Sequence, residues 1–385
     1  MKHKTLNIFI FLSIILSNPD NFYNIKEKVF SLDTHHSTFK VFSDSLFYIL
    51  SNTADENHFK KYGTVLVLNK DASINKIVQF SKINNYMLSG IKLIYKDKGF
   101  MFIGYSQQNN DEWNKIHVIR TDQNLNVLWE NSYGAPSSEN KGYSIVQEND
   151  DEYWILGYTK TSKNGTLLLK IDGKGNEKWF TYLPNLNCNF ANNMIMNDKK
   201  EIIVSGQNKN QLFVAKIDTM GNVKWQYNYK DDTKYHGVYD IKNTNDRGIV
   251  IAGNTTQTKD NSFDVLIIKL SGKGEEKWIK TFGNKTNEVA YDIEQNEKLG
   301  YHISGHALVD KKNKIYNSFI IEIDSIGNQI KRKDFIESGS NKLYDINNKM
   351  EIGAGNIYDD DEKSKIWFIK LDDTSLYKDG TIKRN

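Results

Sequence analysis

The chain has 385 residues, 12% of them aromatic, with only 3 prolines and a formal net charge of +3. Such a length suggests two or three domains, unless the chain is built of repeats that share their cores, so repeats are sought before domains are counted. Lys and Arg are mixed with Asp and Glu along the whole chain, without the basic stripe of a nucleic-acid binder, and no nucleic-acid partner is expected.

At the N-terminus, Lys2 and Lys4 precede an apolar run from Leu6 to Leu16 that only Asn7 and Ser13 interrupt. The run is too short to span a bilayer, which takes about 20 residues. Residues 1–17 therefore read as a secretory signal peptide. The expectation is a protein that is secreted, periplasmic or held at the cell surface, without a stable membrane span once the leader is cleaved. The lone Cys188 excludes an intramolecular disulfide and reads as a buried small hydrophobe.

From there the chain is periodic. Apolar pieces recur with a glycine near their end at Gly104, Gly157, Gly206, Gly253, Gly305 and Gly355, and Ser51 takes that place in the first copy. The steps are 53, 53, 49, 47, 52 and 50 residues. A second apolar run follows each (HVIRTD, LLLKID, FVAKID, LIIKLS, FIIEID, WFIKLD) and ends at Asp122, Asp172, Asp218, Ser271, Asp324 or Asp372, with Asn69 in the first copy. Seven residues further on stand Trp129, Trp179, Trp225 and Trp278, with Gly175, Gly221 and Gly274 in the turns before the last three. A further strand such as YSIVQ or VYDIKN opens each repeat. Nothing shows a sustained helical period. Four short strands per repeat of about 50 residues predict an all-β fold: a seven-bladed β-propeller with four antiparallel strands per blade, formed as one domain by residues 25–385. Packing blades around an axis buries both faces of each and protects the sheet edges.

The last copy lacks a clear fourth strand after Asp372. Ile25–Phe30 (IKEKVF) looks like that missing strand, so an N-terminal strand is expected to close the ring in the last blade. Leu376–Lys383 is the alternative. Blades one, six and seven lack the tryptophan, and the ring is expected to be least well locked where the chain ends meet.

The runs DGKGNEKW and DTMGNVKW resemble the tryptophan-docking motif of quinoprotein-like (PQQ-like) propellers. They also look like the propeller repeats of secreted bacterial proteins of the Bacteroidetes type. The resemblance covers nearly the whole mature chain at repeat level. It implies that Trp129, Trp179, Trp225 and Trp278 pack against the neighbouring blade. Lys76 and Lys331 stand in the tryptophan's place in the first and sixth copies, so docking is incomplete.

Repeat motifs report architecture more than chemistry. No adjacent cysteine pair and no EF-hand loop supports a quinone or calcium site, so no cofactor and no metal is expected. No GxSxG motif and no Ser, His and Asp set can be assembled. Asp240, Asp292 and Asp345 recur as "YDI" in strands expected to line the channel, where they could meet around a cation or serve as acid and base, or instead meet backbone and solvent. Tyr239, Tyr291 and Tyr344 accompany them, and Tyr143 holds the same place in an earlier copy. The acidic run Asp359–Glu362 reads as a solvated loop. His35 and His36, adjacent on a strand, point to opposite faces. Long connections between second and third strands should crowd one face, where Trp113, Phe59 and Tyr62 could anchor a ligand. The leading expectation is a monomeric, non-catalytic binding or scaffold module recognising a protein or glycan through one loop face or the channel mouth. A channel-centred hydrolase or quinone-dependent dehydrogenase is the alternative.

Overall fold

Aliphatic and aromatic residues fill the middle of each repeat so densely that strands such as Ile249–Thr255 and Asp264–Leu270 are buried at every position. Strands sandwiched on both faces read as continuous apolar runs. The computed structural model describes residues 24–43, 46–54, 61–80, 86–93, 99–107, 113–134, 137–160, 165–183, 186, 190–229, 235–256, 262–283, 286–336, 340–346, 352–358 and 364–372, with the backbone alone for some of them. They form 27 strands and, among the described residues, no helix long and apolar enough to cross a membrane.

The long first strand, β1 (Asn24–Ser43), is followed by β2 (Phe47–Ala54), β3 (Lys61–Leu68) and β4 (Ile74–Phe80). Blade 2 holds β5 (Tyr86–Leu93), β6 (Phe100–Gln107), β7 (Asn114–Thr121) and β8 (Val127–Tyr133). Blade 3 holds β9 (Glu139–Asn149), β10 (Glu152–Lys160), β11 (Gly165–Asp172) and β12 (Glu177–Tyr182). Blade 4 holds β13 (Phe190–Met196), β14 (Ile202–Asn208), β15 (Gln211–Ile217) and β16 (Val223–Tyr229). Blade 5 holds β17 (His236–Asn243), β18 (Ile249–Thr255), β19 (Asp264–Leu270) and β20 (Glu276–Phe282). Blade 6 holds β21 (Asn287–Gln295), β22 (Tyr301–Asp310), β23 (Ile315–Ile323) and β24 (Gln329–Phe335). The last blade has β25 (Asn341–Ile346), β26 (Ile352–Tyr358) and β27 (Ser364–Asp372).

Blades 2 to 6 are four-stranded antiparallel sheets, and blades 1 and 7 each bring three strands of their own and share β1 in one seven-stranded sheet. The first half of β1 pairs with β27, Ile25 opposite Leu371 and Phe30 opposite Ile366, while its second half pairs with β2. The fold is thus a seven-bladed all-β propeller whose N-terminal strand completes the last blade. Leu376–Lys383 and the leader lie outside the described residues.

Seven apolar clusters, one per interface, hold neighbouring blades together. The seam between blades 7 and 1 has its own, from Phe47, Ile49 and Leu66 to Tyr344, Ile366 and Phe368. Lys370 also donates across it to the Lys70 carbonyl at 2.9 Å. Among the described residues the sparsest cluster lies between blades 6 and 7, not at the seam where the chain ends suggest it.

In blade 5, His236 pairs with Thr255 and Thr255 with Asp264. The start of each inner strand and the second-to-third connection therefore share one face of the disc, the loop face. The tight turns lie on the opposite, turn face.

Candidate functional site: the inner strands of blades 5 to 7

The repeated glycine does not end its strand; it lies within it, opposite a bulge in the inner strand. Gly253 pairs with Val238, Gly305 with Ala290 and Gly355 with Leu343, and in each case the register then skips one residue. The skipped residues are Tyr239, Tyr291 and Tyr344. Blades 2, 3 and 4 skip Ser89, Tyr143 and Asn192 in the same way. A Cβ at Gly253, Gly305 or Gly355 would overlap a carbonyl oxygen of the facing inner strand, so only glycine admits the bulge. Bulges re-aim side chains, and here the same device is applied to three consecutive tyrosines.

The aspartate after each bulge is buried. Asp240 accepts a hydrogen bond from the Ile293 N–H of blade 6 at 3.2 Å, and Asp292 accepts one from Ile346 N–H of blade 7 at 3.2 Å. These carboxylates link each inner strand to the next. They also converge, on a residue that spacing did not single out. The Lys242 ammonium lies 3.3 Å from Asp240, 3.2 Å from Asp292 and 2.5 Å from Glu294. Burial opposes its charge, but Asp240, Asp292, Glu294 and Asp345 together hold it well above the ordinary lysine value. A cation does sit among the carboxylates, and it is a side chain of this chain.

On the loop-face side of this cluster, aromatic rings touch in series. Tyr239 lies 4.6 Å from Tyr291, which lies 4.7 Å from Tyr344 and stacks on His306 at 5.1 Å. His306 meets Tyr316 edge-on at 5.4 Å, and Tyr316 lies 6.2 Å from Tyr358. Burial pushes the Tyr239 hydroxyl up to about 12, and burial with the neighbouring tyrosines raises Tyr291 further. Lys342 enters this wall from β25, its ammonium 3.8 Å from the Tyr316 ring centre and 5.2 Å from that of Tyr358. Desolvation draws it down to about 8. His306 is only 6% exposed, and its Nδ1 has no hydrogen-bond partner among the described residues. Sequence reasoning found the three bulge tyrosines. It missed Lys242, His306, Tyr316, Lys342 and Tyr358, which occupy no shared repeat motif.

The other singled-out residues lie elsewhere. Tyr143 occupies the blade 3 bulge, where burial, Tyr105, Tyr158 and Glu139 push it up to about 12. Trp113 is half-buried beside the start of β7 on blade 2, and Tyr62 is half-buried on β3. Phe59, Cys188 and Asp359–Glu362 lie outside the described residues, and of His35 and His36 only the backbone is described. The four repeat tryptophans lie over the turns of the following blades. Trp129 donates to the Gly173 carbonyl at 2.9 Å, and Tyr133 donates to Gly175 at 2.8 Å. A Cβ on Gly175, Gly274 or Gly327 would lie 3.0 Å from Trp129, 2.6 Å from Trp225 or 3.1 Å from Trp278, and one on Gly221 would lie 3.7 Å from Trp179. In the first copy Lys76 reaches the next turn instead, donating to the Asn124 carbonyl at 2.6 Å.

On the turn face, a cleft of about 200 Å³ separates the turns of blades 4 and 5, lined among others by Asn197, Asp198, Asn243 and Arg247. Its polar groups largely bond one another: Asn197 donates to Glu201, Asn243 to the Met196 carbonyl, and Arg247 lies 3.4 Å from Asp198.

No family model and no curated protein matches the chain. Solved structures match in fold. The BP39L lectin of Burkholderia pseudomallei superposes with a TM-score of 0.56 at 8% identity, over 87% of this chain and 96% of the lectin. The β-propeller domain of the Trilobed protease from Pyrococcus furiosus, described as having an open velcro topology, superposes with a TM-score of 0.50 at 11% identity, over 91% of this chain and 99% of that domain. At these identities the likeness establishes a propeller and nothing narrower.

Proposed function

We propose that the chain is an exported, non-catalytic binding propeller that recognises a saccharide at the loop-face end of its channel, on blades 5 to 7. The observation that carries this reading is the unbroken series of rings from Tyr239 to Tyr358. Rings offer flat apolar faces while their hydroxyls remain available for hydrogen bonding, the combination a sugar needs. The Burkholderia neighbour, a lectin, supports the reading to the extent that the same fold serves recognition there. Export rests on the leader at residues 1–17, and the DxxGxxxW repeats support a place among PQQ-like propellers of secreted bacterial proteins. A monomer is part of the same reading, since none of the seven blade interfaces needs a second chain. The test is a glycan array followed by calorimetry on the full chain. A saccharide should bind, and Tyr291→Ala with Tyr316→Ala should weaken it at least tenfold. Binding that survives both changes, or that maps to the turn face, overturns the assignment. A protein ligand at the same face would appear as array silence with capture of a single partner.

A channel enzyme working through Asp240, Asp292 and Asp345 is the second reading, favoured by their convergence. Against it stand the backbone and Lys242 contacts that already occupy Asp240 and Asp292. Hydrolysis of an array ligand that is lost in Asp292→Asn would revive it.

A further inference from the structure

Resting on the saccharide reading, we propose that the ligand is acidic: a sugar whose carboxylate or sulfate is taken by Lys342 and His306, with its ring against Tyr316 and Tyr358.

Several half-buried and buried lysines of this ring are matched by carboxylates. Lys170 pairs with Glu148 and Glu152, Lys216 with Glu201, Lys242 with Asp240, Asp292 and Glu294, and Lys269 with Asp246. Lys342 differs. Among the described residues it makes neither an ion pair nor a hydrogen bond, only the two ring contacts. The same position of the repeat in blade 3 supplies an internal comparison. There Lys141, two residues before its bulge tyrosine, also lies over a ring, 5.0 Å from Tyr105, but Glu139 sits two residues earlier and 3.0 Å away. In blade 7 that place belongs to Ser340, whose hydroxyl and carbonyl accept from the backbone of Tyr316 and Tyr358. The counter-charge has been replaced by a group that fixes the two rings.

The described groups around Lys342 are Tyr316 from β23 and Tyr358 from β26, whose rings it contacts, and His306 from β22, on which its charge acts, with Tyr344 and Tyr291 packed against His306; among the described residues none of them is a carboxylate. His306 is held well below the ordinary histidine range, first by burial and then by the Lys342 charge. The neutral imidazole keeps one N–H, and Lys342 has three, so donors dominate where a partially desolvated ammonium has no anionic partner among the described residues. A desolvated charge without a partner is costly, and an anion placed between these donors would relieve that cost.

Calorimetry on the full chain with trigalacturonate, its methyl ester and a 6-sulfated galactose oligomer tests this. The uronate, the sulfate or both should bind about tenfold or more tightly than the neutral ester. The preference should disappear in Lys342→Met and survive in Lys342→Arg. Because the ammonium must be charged to hold an anion, the preference for the acid ligand over the ester should be lost as pH rises above the Lys342 pKa of about 8. NMR of the reductively ¹³C-methylated protein reads that pKa directly. Equal affinity for acid and ester, unchanged in Lys342→Met, overturns the acidic specificity and leaves the saccharide reading standing. So does a Lys342 that titrates at the ordinary lysine value in the free protein, since its charge is then already matched. Failure of every saccharide overturns both.

Discussion

At the residue scale, the turns between third and fourth strands show how a backbone requirement and a packing requirement differ. All six described turns place one residue at positive φ: Gly175, Gly221, Gly274 and Gly327, but Ala72 at 64° and Leu125 at 63°. The left-handed conformation alone therefore does not demand glycine. The four glycines are those under a tryptophan, where a Cβ at Gly175, Gly274 or Gly327 would press on the indole and one at Gly221 would crowd Leu183 and Thr181; Lys76 takes the tryptophan's place before Leu125, and Lys26 takes its register position before Ala72. Gly274→Ala should cost about 2–4 kcal/mol in urea unfolding, from strain plus contact with Trp225. In a Trp225→Ala background the same change should cost at least about 1 kcal/mol less; equal costs would show that backbone strain alone is at work. His302 gives a second prediction. Burial draws it down to about 4, and Glu322 at 4.0 Å is too far to hold the charged form by a hydrogen bond. Because the folded pKa lies below the unfolded one, the contribution is complete above about pH 6.5 and is lost as pH falls through about 4, on the order of 3 kcal/mol. Urea midpoints at pH 7 and pH 4.5 should show that loss, and His302→Gln should flatten it.

At the scale of the element, the outer strands explain an absence that the sequence shows without its cause. Trp278 on β20 lies over the Gly327 turn and meets Tyr301 edge-on at 6.0 Å. The matching residue of β24 is Lys331, which pairs with Glu322 as Trp278 pairs with Lys269. Blade 7 has no turn between third and fourth strands for an indole to cover, because β27 and β1 come from opposite ends of the chain. The missing tryptophan is a consequence of the closure. Trp278→Lys should therefore lower stability by about 2–4 kcal/mol, whereas Lys331→Trp should stay within about 0.5 kcal/mol of the parent; a clear gain from Lys331→Trp would mean that something does lie beneath it. The repeat period and the polar turns gave away the strands because burial on both faces demands continuous apolar runs. The inner-strand bulges left no such trace. A glycine in a strand is equally consistent with an end, a bend or a bulge, and only the register distinguishes them. Lys342 was silent for a related reason: its meaning lies in the absence of a glutamate that Lys141 has, and absences carry no motif.

At the scale of the molecule, closure turns a row of repeats into a ring without end blades. In an open array, stability is a sum of nearest-neighbour terms and the terminal repeats fray. Here the seam between blades 7 and 1 carries an apolar cluster, the shared strand β1 and the Lys370 bond to Lys70, so each blade has two packed neighbours. The intact chain should unfold in one cooperative transition. Deleting Ile25–Phe30 removes six of the residues that β1 pairs with β27 and exposes the edge of blade 7. The melting temperature should fall by about 10 °C or more, as expected for the loss of several kcal/mol from a domain of this size. The damage should also be local. In hydrogen exchange, amides of β26, β27 and β2 should lose protection first, while those of β14, β15, β18 and β19, on the far side of the ring, should keep theirs. Uniform loss of protection would mean that the ring has a single cooperative core and that the seam is no special point. No change in either measurement would mean that β1 does not close the ring in solution. Because Tyr344, Lys342 and Tyr358 lie on blade 7, the same deletion should weaken ligand binding at the loop face while sparing a ligand held on blades 2 to 4.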